Sequence, residues 1–451
     1  MKFRAALGIL VLLVALWSLS PDAQSGGQKW VGTWTTAAVG RPQTPPPAVP
    51  ALPPFMANQC PAAPAPVVAP PPGQTFAPLP FAHFTNQTLR QIVRTSTGGS
   101  RVRVVLSNAH GAAPLVIGAA SIALRERDSA IQSASIRQLA FSGRPTIAIP
   151  PRAVAYSDSV DLNVAAMSDL AVDVYLPGTT DTASPTTMHN ASFQTNYISE
   201  TGNHVGKVTL PTAGTIQSWF FLSRVEVLAP EATQVLVAFG DSITDGTRST
   251  PDSNNRWPDL LVARMLAQPS PRRMGVLNSG IAGNRVLSEG VFTAGINALA
   301  RFDADALTQS GVTHVVVLEG INDIGNARQN ATPTAEDIIA GHKQLIERGR
   351  SKGLKIIGAT LTPFWGAAYY TDVGEAKRQA VNQWIRTGGA YDAVVDFDQA
   401  TRDPNDPKKL RTEFDSCDHL HPNDAGYRAM AAAIDLSLFD PVRSTASANS
   451  R

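Results

Sequence analysis

Cysteine is nearly absent from this 451-residue chain, which has 2. That excludes a disulfide-rich scaffold and a cysteine-built zinc site. Charge is sparse: 16% of residues are charged, the formal net charge is +2, and the basic residues are scattered. No basic stripe of the kind nucleic acid requires is present, so nucleic acid is excluded as a partner. Aromatic residues make up 7% of the chain and form no evident platform for stacking a sugar; Trp219-Phe-Phe221 reads as core. A long hydrophobic run is missing as well. The apolar stretch Ala5 to Trp17 spans about 13 residues, short of the roughly 20 that cross a bilayer. What is there, 43% hydrophobic residues over a length that accommodates two domains, describes a globular protein.

The N-terminus has a basic start, Met1-Lys-Phe-Arg4, then the short apolar run, then small residues from Ser18 to Ser25. This order predicts a secretory signal peptide at 1–25, an extracellular or periplasmic protein, and no membrane span after cleavage. An uncleaved anchor is the competing reading. Trp30 to Ala37 reads as the first mature strand. Residues 41–80 are rich in proline, which favours extended, solvated chain, so this stretch is expected to be a surface loop inserted between two strands. Cys60 lies in it and Cys417 lies far downstream. In an oxidising compartment two leftover thiols suggest one disulfide, which would pin the proline-rich loop beside residues 418–421; two free thiols are the alternative.

From Phe84 to Leu228 the pattern is short β-type runs punctuated by Gly, Pro and Asn. Leu89 to Thr95 and Arg101 to Leu106 flank Gly98-Gly99, which predicts a hairpin. No long helical period interrupts this part, so residues 29–230 are expected to be a β-sandwich. From 231 to 440 the pattern changes. Apolar strand-like runs at Val235–Phe239, Met274–Leu277, His314–Leu318, Lys355–Leu361 and Ala393–Phe397 alternate with helical stretches near Trp257–Ala267, Thr334–Ser351 and Glu375–Arg386. Such alternation predicts a parallel sheet covered on both faces. Residues 441–451 read as a flexible tail.

Four stretches of this second part carry candidate chemistry. The run Val235 to Phe239 ends on Gly240-Asp241-Ser242, at the carboxyl end of a buried strand, where open α/β sheets place ligands. Ser242 there is a candidate nucleophile; taken alone it reads more readily as a helix cap. A serine hydroxyl needs a base, and Asp418-His-Leu-His421 supplies one, with an Asp three residues before His421 able to hold its ring. His419 competes, but adjacency to Asp418 hinders the contact. Pro422 then opens a helix predicted from Asp424 to Ala433. Acyl transfer also needs donors for an oxyanion. Asn278 to Arg285 offers the backbone N–H of Gly283, and Leu318 to Asp323 offers the side chain of Asn322.

These four blocks resemble those of the SGNH hydrolases, also called the GDSL esterase/lipase family. Ser242 in Gly-Asp-Ser, Gly283 in Ile-Ala-Gly-Asn, Asn322 in Gly-Ile-Asn-Asp and His421 in Asp-His-Leu-His carry the likeness, which covers roughly Thr233 to Leu438, about half the chain. Ile243 stands where the family often has Leu. The Gly-x-Ser-x-Gly elbow of the α/β-hydrolases is absent around Ser242. The resemblance implies a flavodoxin-like SGNH parallel sheet with helices on both faces, preceded here by a jelly-roll-like all-β domain. It implies a serine esterase with Ser242, His421 and Asp418 as triad and Ser242, Gly283 and Asn322 as oxyanion hole, using no metal or organic cofactor. Asp245, Asp323 and Arg285 are expected to fix the surrounding loops. The substrate is expected to be a small-molecule, carbohydrate or lipid ester. Short-chain or acetyl esters are favoured because the catalytic half shows no long apolar lid segment. A lipase or lysophospholipase, an acyltransferase with the same triad, and a binding protein working through its β domain are the competing functions.

Overall fold

The computed structural model describes residues 27–41, 83–180, 185–290, 292–327 and 333–440. The expected signal peptide, the proline-rich stretch from 42 to 80 with Cys60, and the tail from 441 lie outside the described residues. Arg41, the first residue of the expected insert, ends the short strand Val39–Arg41.

The first half is all β. A five-stranded antiparallel sheet contains β1 (Gln28–Thr35), β3 (Gly99–Ser107) and β5 (Leu222–Pro230). A seven-stranded antiparallel sheet contains β2 (Thr85–Arg94), flanked by Asp169–Thr179 and Asn196–Thr201. A three-stranded sheet has β4 (Thr186–His189) at its centre. Within β2 and β3 the side chains that reach the core include Leu89, Val93, Val102 and Val104, spaced by even numbers, as a pleated strand requires.

The hairpin expected around Gly98-Gly99 does not form. β2 pairs with Asp169–Thr179 and Asn196–Thr201, whereas β3 pairs with β5, so the two strands belong to different sheets. The connection is a corner fastened to β1: Ser96 N and Thr97 N donate to the carbonyl and hydroxyl of Thr33. A side chain at Gly98 would strike the Val164 carbonyl at 2.4 Å, so the glycine answers a close backbone approach rather than a two-residue turn. The β-type run from Trp219 to Val227 is divided between two strands. Phe221 takes a positive φ of 59°, and the chain passes there from the small sheet into β5.

The second half holds a five-stranded sheet in which every pair is parallel. Its strands are β6 (Gln234–Gly240), β7 (Met274–Gly280), β8 (Val312–Leu318), β9 (Lys355–Ala359) and β10 (Ala393–Val395), and β7 and β8 flank β6. β6 is buried from Val235 onward, which explains its unbroken apolar run. The helices have readable starts. In α4 (Ala335–Arg350) Thr334 and Asp337 form a reciprocal capping box, and Ile338, Leu345 and Ile346 face the core. In α5 (Asp372–Thr387) Thr371 caps Gly374. In α6 (Asp424–Ala433) Asn423, not Pro422, caps the first turn.

One hydrophobic core runs through both halves, from Val31 to Phe439. The seam lies along β7, the edge of the parallel sheet. Ser96 Oγ accepts from Val276 N at 2.9 Å and Gly32 N donates to Ser310 O at 2.9 Å. The backbones touch here: a Cβ on Gly275 would lie 2.5 Å from the Gly32 carbonyl oxygen. Gly275→Ala is therefore expected to force the seam apart and cost ~1–3 kcal/mol. Urea unfolding checks this, and an unchanged midpoint would show that the seam relaxes freely.

Candidate active site

The site starts where β6 stops. Gly240 has no room for a side chain: a Cβ would sit 2.7 Å from the Leu318 carbonyl. Asp241 then caps a one-turn helix, α1 (Ser242–Asp245), by accepting from Ile243 N at 2.9 Å, and Gly246 ends it with φ of 100°. A single turn has little stability of its own, so its position depends on ties to neighbours. Asn278 Nδ2 donates to Thr244 O at 2.8 Å, and Ile281 N donates to Gly240 O at 3.0 Å.

Ser242 is buried to 6% exposure, and its Oγ lies 2.9 Å from Nε2 of His421. The other ring nitrogen, Nδ1, lies 2.8 Å from Asp418 Oδ2. Asp418 Oδ1 accepts from the backbone N–H groups of His421 at 2.8 Å and Leu420 at 3.1 Å, and Arg248 Nε donates to Oδ2 at 3.1 Å. Burial pushes the Asp418 carboxyl upward, but the hydrogen bonds and charge of His421 outweigh it and hold the group well below the usual carboxylate range. An anion fixed in this way orients the ring and favours a proton on Nδ1, leaving Nε2 free to accept from the serine. His419 points elsewhere, with Nδ1 on Asp415 Oδ2.

Gly283 has φ of 80°, a conformation that suits glycine, in the turn after β7. Asn322 stands in the first turn of α3 (Ile321–Ala327) and donates one N–H to Asn284 O at 3.0 Å, leaving its second N–H available. Asp323 accepts from Val286 N at 2.7 Å and Leu287 N at 3.0 Å, fastening the glycine loop to α3. Burial pushes its carboxyl up to about 6. Asp245 pairs with His189 of β4 at 2.9 Å. Among the described residues the hydrogen bonds of Arg285 are 3.5 Å contacts within its own loop, to Ser288 and Glu289, whereas Asp323 reaches from α3 to the loop. Cys417 is disulfide-bonded; Cys60, the other cysteine of the sequence, lies outside the described residues. Among the described residues no group of three or more His, Cys, Asp or Glu could hold a metal ion.

The residue that joins these blocks carries no motif. The Arg301 guanidinium is buried and donates to Gly240 O at 2.8 Å, Ser279 O at 2.9 Å, Asn284 Oδ1 at 2.8 Å and Glu319 Oε1 at 3.1 Å, over the Phe239 ring. It thus ties the ends of β6, β7 and β8 to the glycine loop. Glu319 is fully buried, and its carboxyl is raised well above its usual value, first by burial and then by the charge of Asp241. Asp241 is pushed up to about 7 by burial. An isolated Arg between the second and third blocks offers no sequence signal, because its acceptors, two backbone carbonyls and the side chains of Asn284, Asp305 and Glu319, are gathered from separate segments.

Residues 238–429 match the GDSL-like Lipase/Acylhydrolase family. No curated protein matches the chain. Among solved structures it is similar to a G-D-S-L family protein from Desulfitobacterium hafniense, at 22% identity over 44% of this chain and 96% of that one, with a TM-score of 0.33. It is also similar to a GDSL-like lipase from Bacteroides thetaiotaomicron, at 19% identity over 45% and 85% of the two chains, with a TM-score of 0.33. An aryl esterase from M. smegmatis is similar at 17% identity over 45% and 96%, with a TM-score of 0.36.

Replacing the guanidinium by an apolar chain of similar length removes every one of these donors. Arg301→Met is expected to cost about 3–5 kcal/mol, the penalty of leaving buried polar partners uncompensated. Guanidinium chloride unfolding measures it, and a loss within about 0.5 kcal/mol, the size of an ordinary surface substitution, would show that the acceptors find other donors.

Proposed function

From a carboxylic ester hydrolase whose residues 238–429 form a GDSL-like lipase/acylhydrolase domain, we propose a mechanism through an acyl-enzyme on Ser242. The relay Ser242–His421–Asp418, with links of 2.9 and 2.8 Å, carries this reading. Ser242 Oγ attacks the ester carbonyl carbon as His421 Nε2 takes the hydroxyl proton. Asp418 holds the imidazolium that forms. The oxyanion receives the backbone N–H groups of Ser242 and Gly283 and the second N–H of Asn322. Collapse breaks the bond to the alcohol, which leaves with the proton from His421. Water then repeats the sequence on the acyl-enzyme and releases the acid.

We read residues 231–440 as the catalytic domain and 29–230 as a jelly-roll-like sandwich that shapes the cleft and supports it. The order of strands in the parallel sheet, second, first, third, fourth, fifth, supports the flavodoxin-like reading. The disulfide-bonded state of Cys417 supports an oxidising compartment, and with it secretion and a Cys60–Cys417 pairing. Short acyl chains fit a catalytic half whose sequence has no long apolar lid.

The test is hydrolysis of p-nitrophenyl esters from acetate to palmitate, with Ser242→Ala as control. Turnover confined to acetate and butyrate and lost in the control is expected. A maximum at long chains would replace the short-chain reading by a lipase, and turnover surviving in the control would remove Ser242 from the mechanism. Asn322→Ala is expected to lower kcat by about 10²–10³-fold; a near-normal kcat would take Asn322 out of the oxyanion hole.

A further inference from the structure

The β-rich half reaches the site at one buried point. His189, the last residue of β4, is 3% exposed, and both of its ring nitrogens meet oxygens. Nδ1 lies 2.8 Å from the Ala37 carbonyl, and Nε2 lies 2.9 Å from Asp245 Oδ1 and 3.2 Å from the Ala191 carbonyl. Two carbonyls and a carboxylate supply no proton, and a neutral imidazole has only one N–H to give. The arrangement is fully satisfied only when both nitrogens carry a proton. Asp245 is the last residue of α1, three positions after Ser242.

We infer that His189 is a positioning residue of the esterase site: as a buried imidazolium it anchors Asp245, and with it the one-turn helix bearing Ser242, to the β-rich half. The inference rests on the reading of Ser242 as nucleophile. Apart from the Ser242–His421 contact itself, α1 is tied by the Asp241 cap, by Asn278 on Thr244 O and by His189 on Asp245. Only the last tie comes from outside the parallel sheet and its own turn, and only the last depends on a titratable cation.

The surroundings fix the sign of that dependence. Burial disfavours the charge on His189, but the carboxylate of Asp245 and the Ala37 carbonyl together outweigh it, and the ring is held above its ordinary value. Arg256 opposes the cation, although its own charge is met by Asp259 at 2.8 Å. Asp305 also lies within electrostatic reach of His189. On the far side of the pair, Asp245 faces the buried Tyr427 hydroxyl. The Trp219 ring covers His189 at 5.6 Å. A group raised in the folded state contributes its full stabilisation below the unfolded value and loses it as pH rises through the folded value. The anchor therefore weakens on the alkaline side. A cavity of ≈40 Å³ with mixed polar and apolar lining borders His189, Asp245 and Arg256, above the roughly 10–15 Å³ that a water needs.

The test uses the full chain labelled with ¹⁵N-histidine. Long-range proton–nitrogen spectra are expected to show His189 protonated on both nitrogens at pH 7 and titrating on the alkaline side. One bare ring nitrogen at pH 7 would overturn the inference, and this readout needs no turnover. If Ser242→Ala leaves hydrolysis intact, the nucleophile reading fails separately. In kinetics, His189→Gln is expected to lower kcat by about 10²-fold with KM unchanged, as a misplaced nucleophile does, and to remove the alkaline limb. Asp245→Asn lets a neutral His189 accept from the amide, and is expected to retain more of kcat than His189→Gln and to flatten the same limb. Should His189→Gln fail to fold, the wild-type spectrum and Asp245→Asn decide; an alkaline limb unchanged in Asp245→Asn overturns the inference.

Discussion

Three strands of a parallel sheet end side by side, and each leaves carbonyl oxygens pointing past its last hydrogen bond. In most of the sheet the next helix or loop meets that need. Beside Ser242 one guanidinium helps to meet it at the ends of β6 and β7. Arg301 donates to the ends of β6 and β7, to the carboxyl that follows β8, and to Asn284 in the glycine loop. Its planar fork presents several donors at fixed angles, which a lysine cannot copy. The relative positions of Ser242, Gly283 and Asn322 therefore follow from one side chain that belongs to none of their blocks.

Carboxyl groups of one chemical kind behave oppositely within this small volume. Asp418 accepts two backbone N–H groups, an imidazole and Arg248, and it stays ionised far into acid. Asp241 and Glu319 are fully buried, deeper than the partly buried Asp418, and poorly supplied. Each has one oxygen without a partner, and both are pushed upward. Burial alone favours the neutral acid; the number of donors decides whether it prevails. The arrangement keeps negative charge at the rim, beside His421, and suppresses it beneath the serine, where under the proposed mechanism an anion would oppose the oxyanion.

Much of this was legible in the sequence because local chemistry wrote it there. Unbroken apolar runs marked the buried strands, and cap residues such as Thr334 marked the helix starts. Ser242, Gly283, Asn322 and His421 each follow an element end, where chain order and spacing reveal them. What escaped was set by contacts across long separations. Gly98-Gly99 resembled a turn, but a close approach to the Val164 carbonyl demanded the glycine. His189 and Asp245 are 56 positions apart, and neither announces the other. Two of the acceptors of Arg301 are backbone carbonyls, which carry no residue code, and the others are spread over separate segments.

The seam along β7 also has a consequence for how this protein can be divided. Val276 N–H ends on Ser96 Oγ, Gly275 lies against the Gly32 carbonyl, and the core continues across the join. A fragment beginning at Gln234 would carry every residue of the relay, yet it would bare the outer edge of β7 and the apolar surface behind it. Bare edges recruit strands from neighbouring molecules. The β-rich half thus covers an edge that the hydrolase half would otherwise leave open, and a cut between the two halves uncovers it.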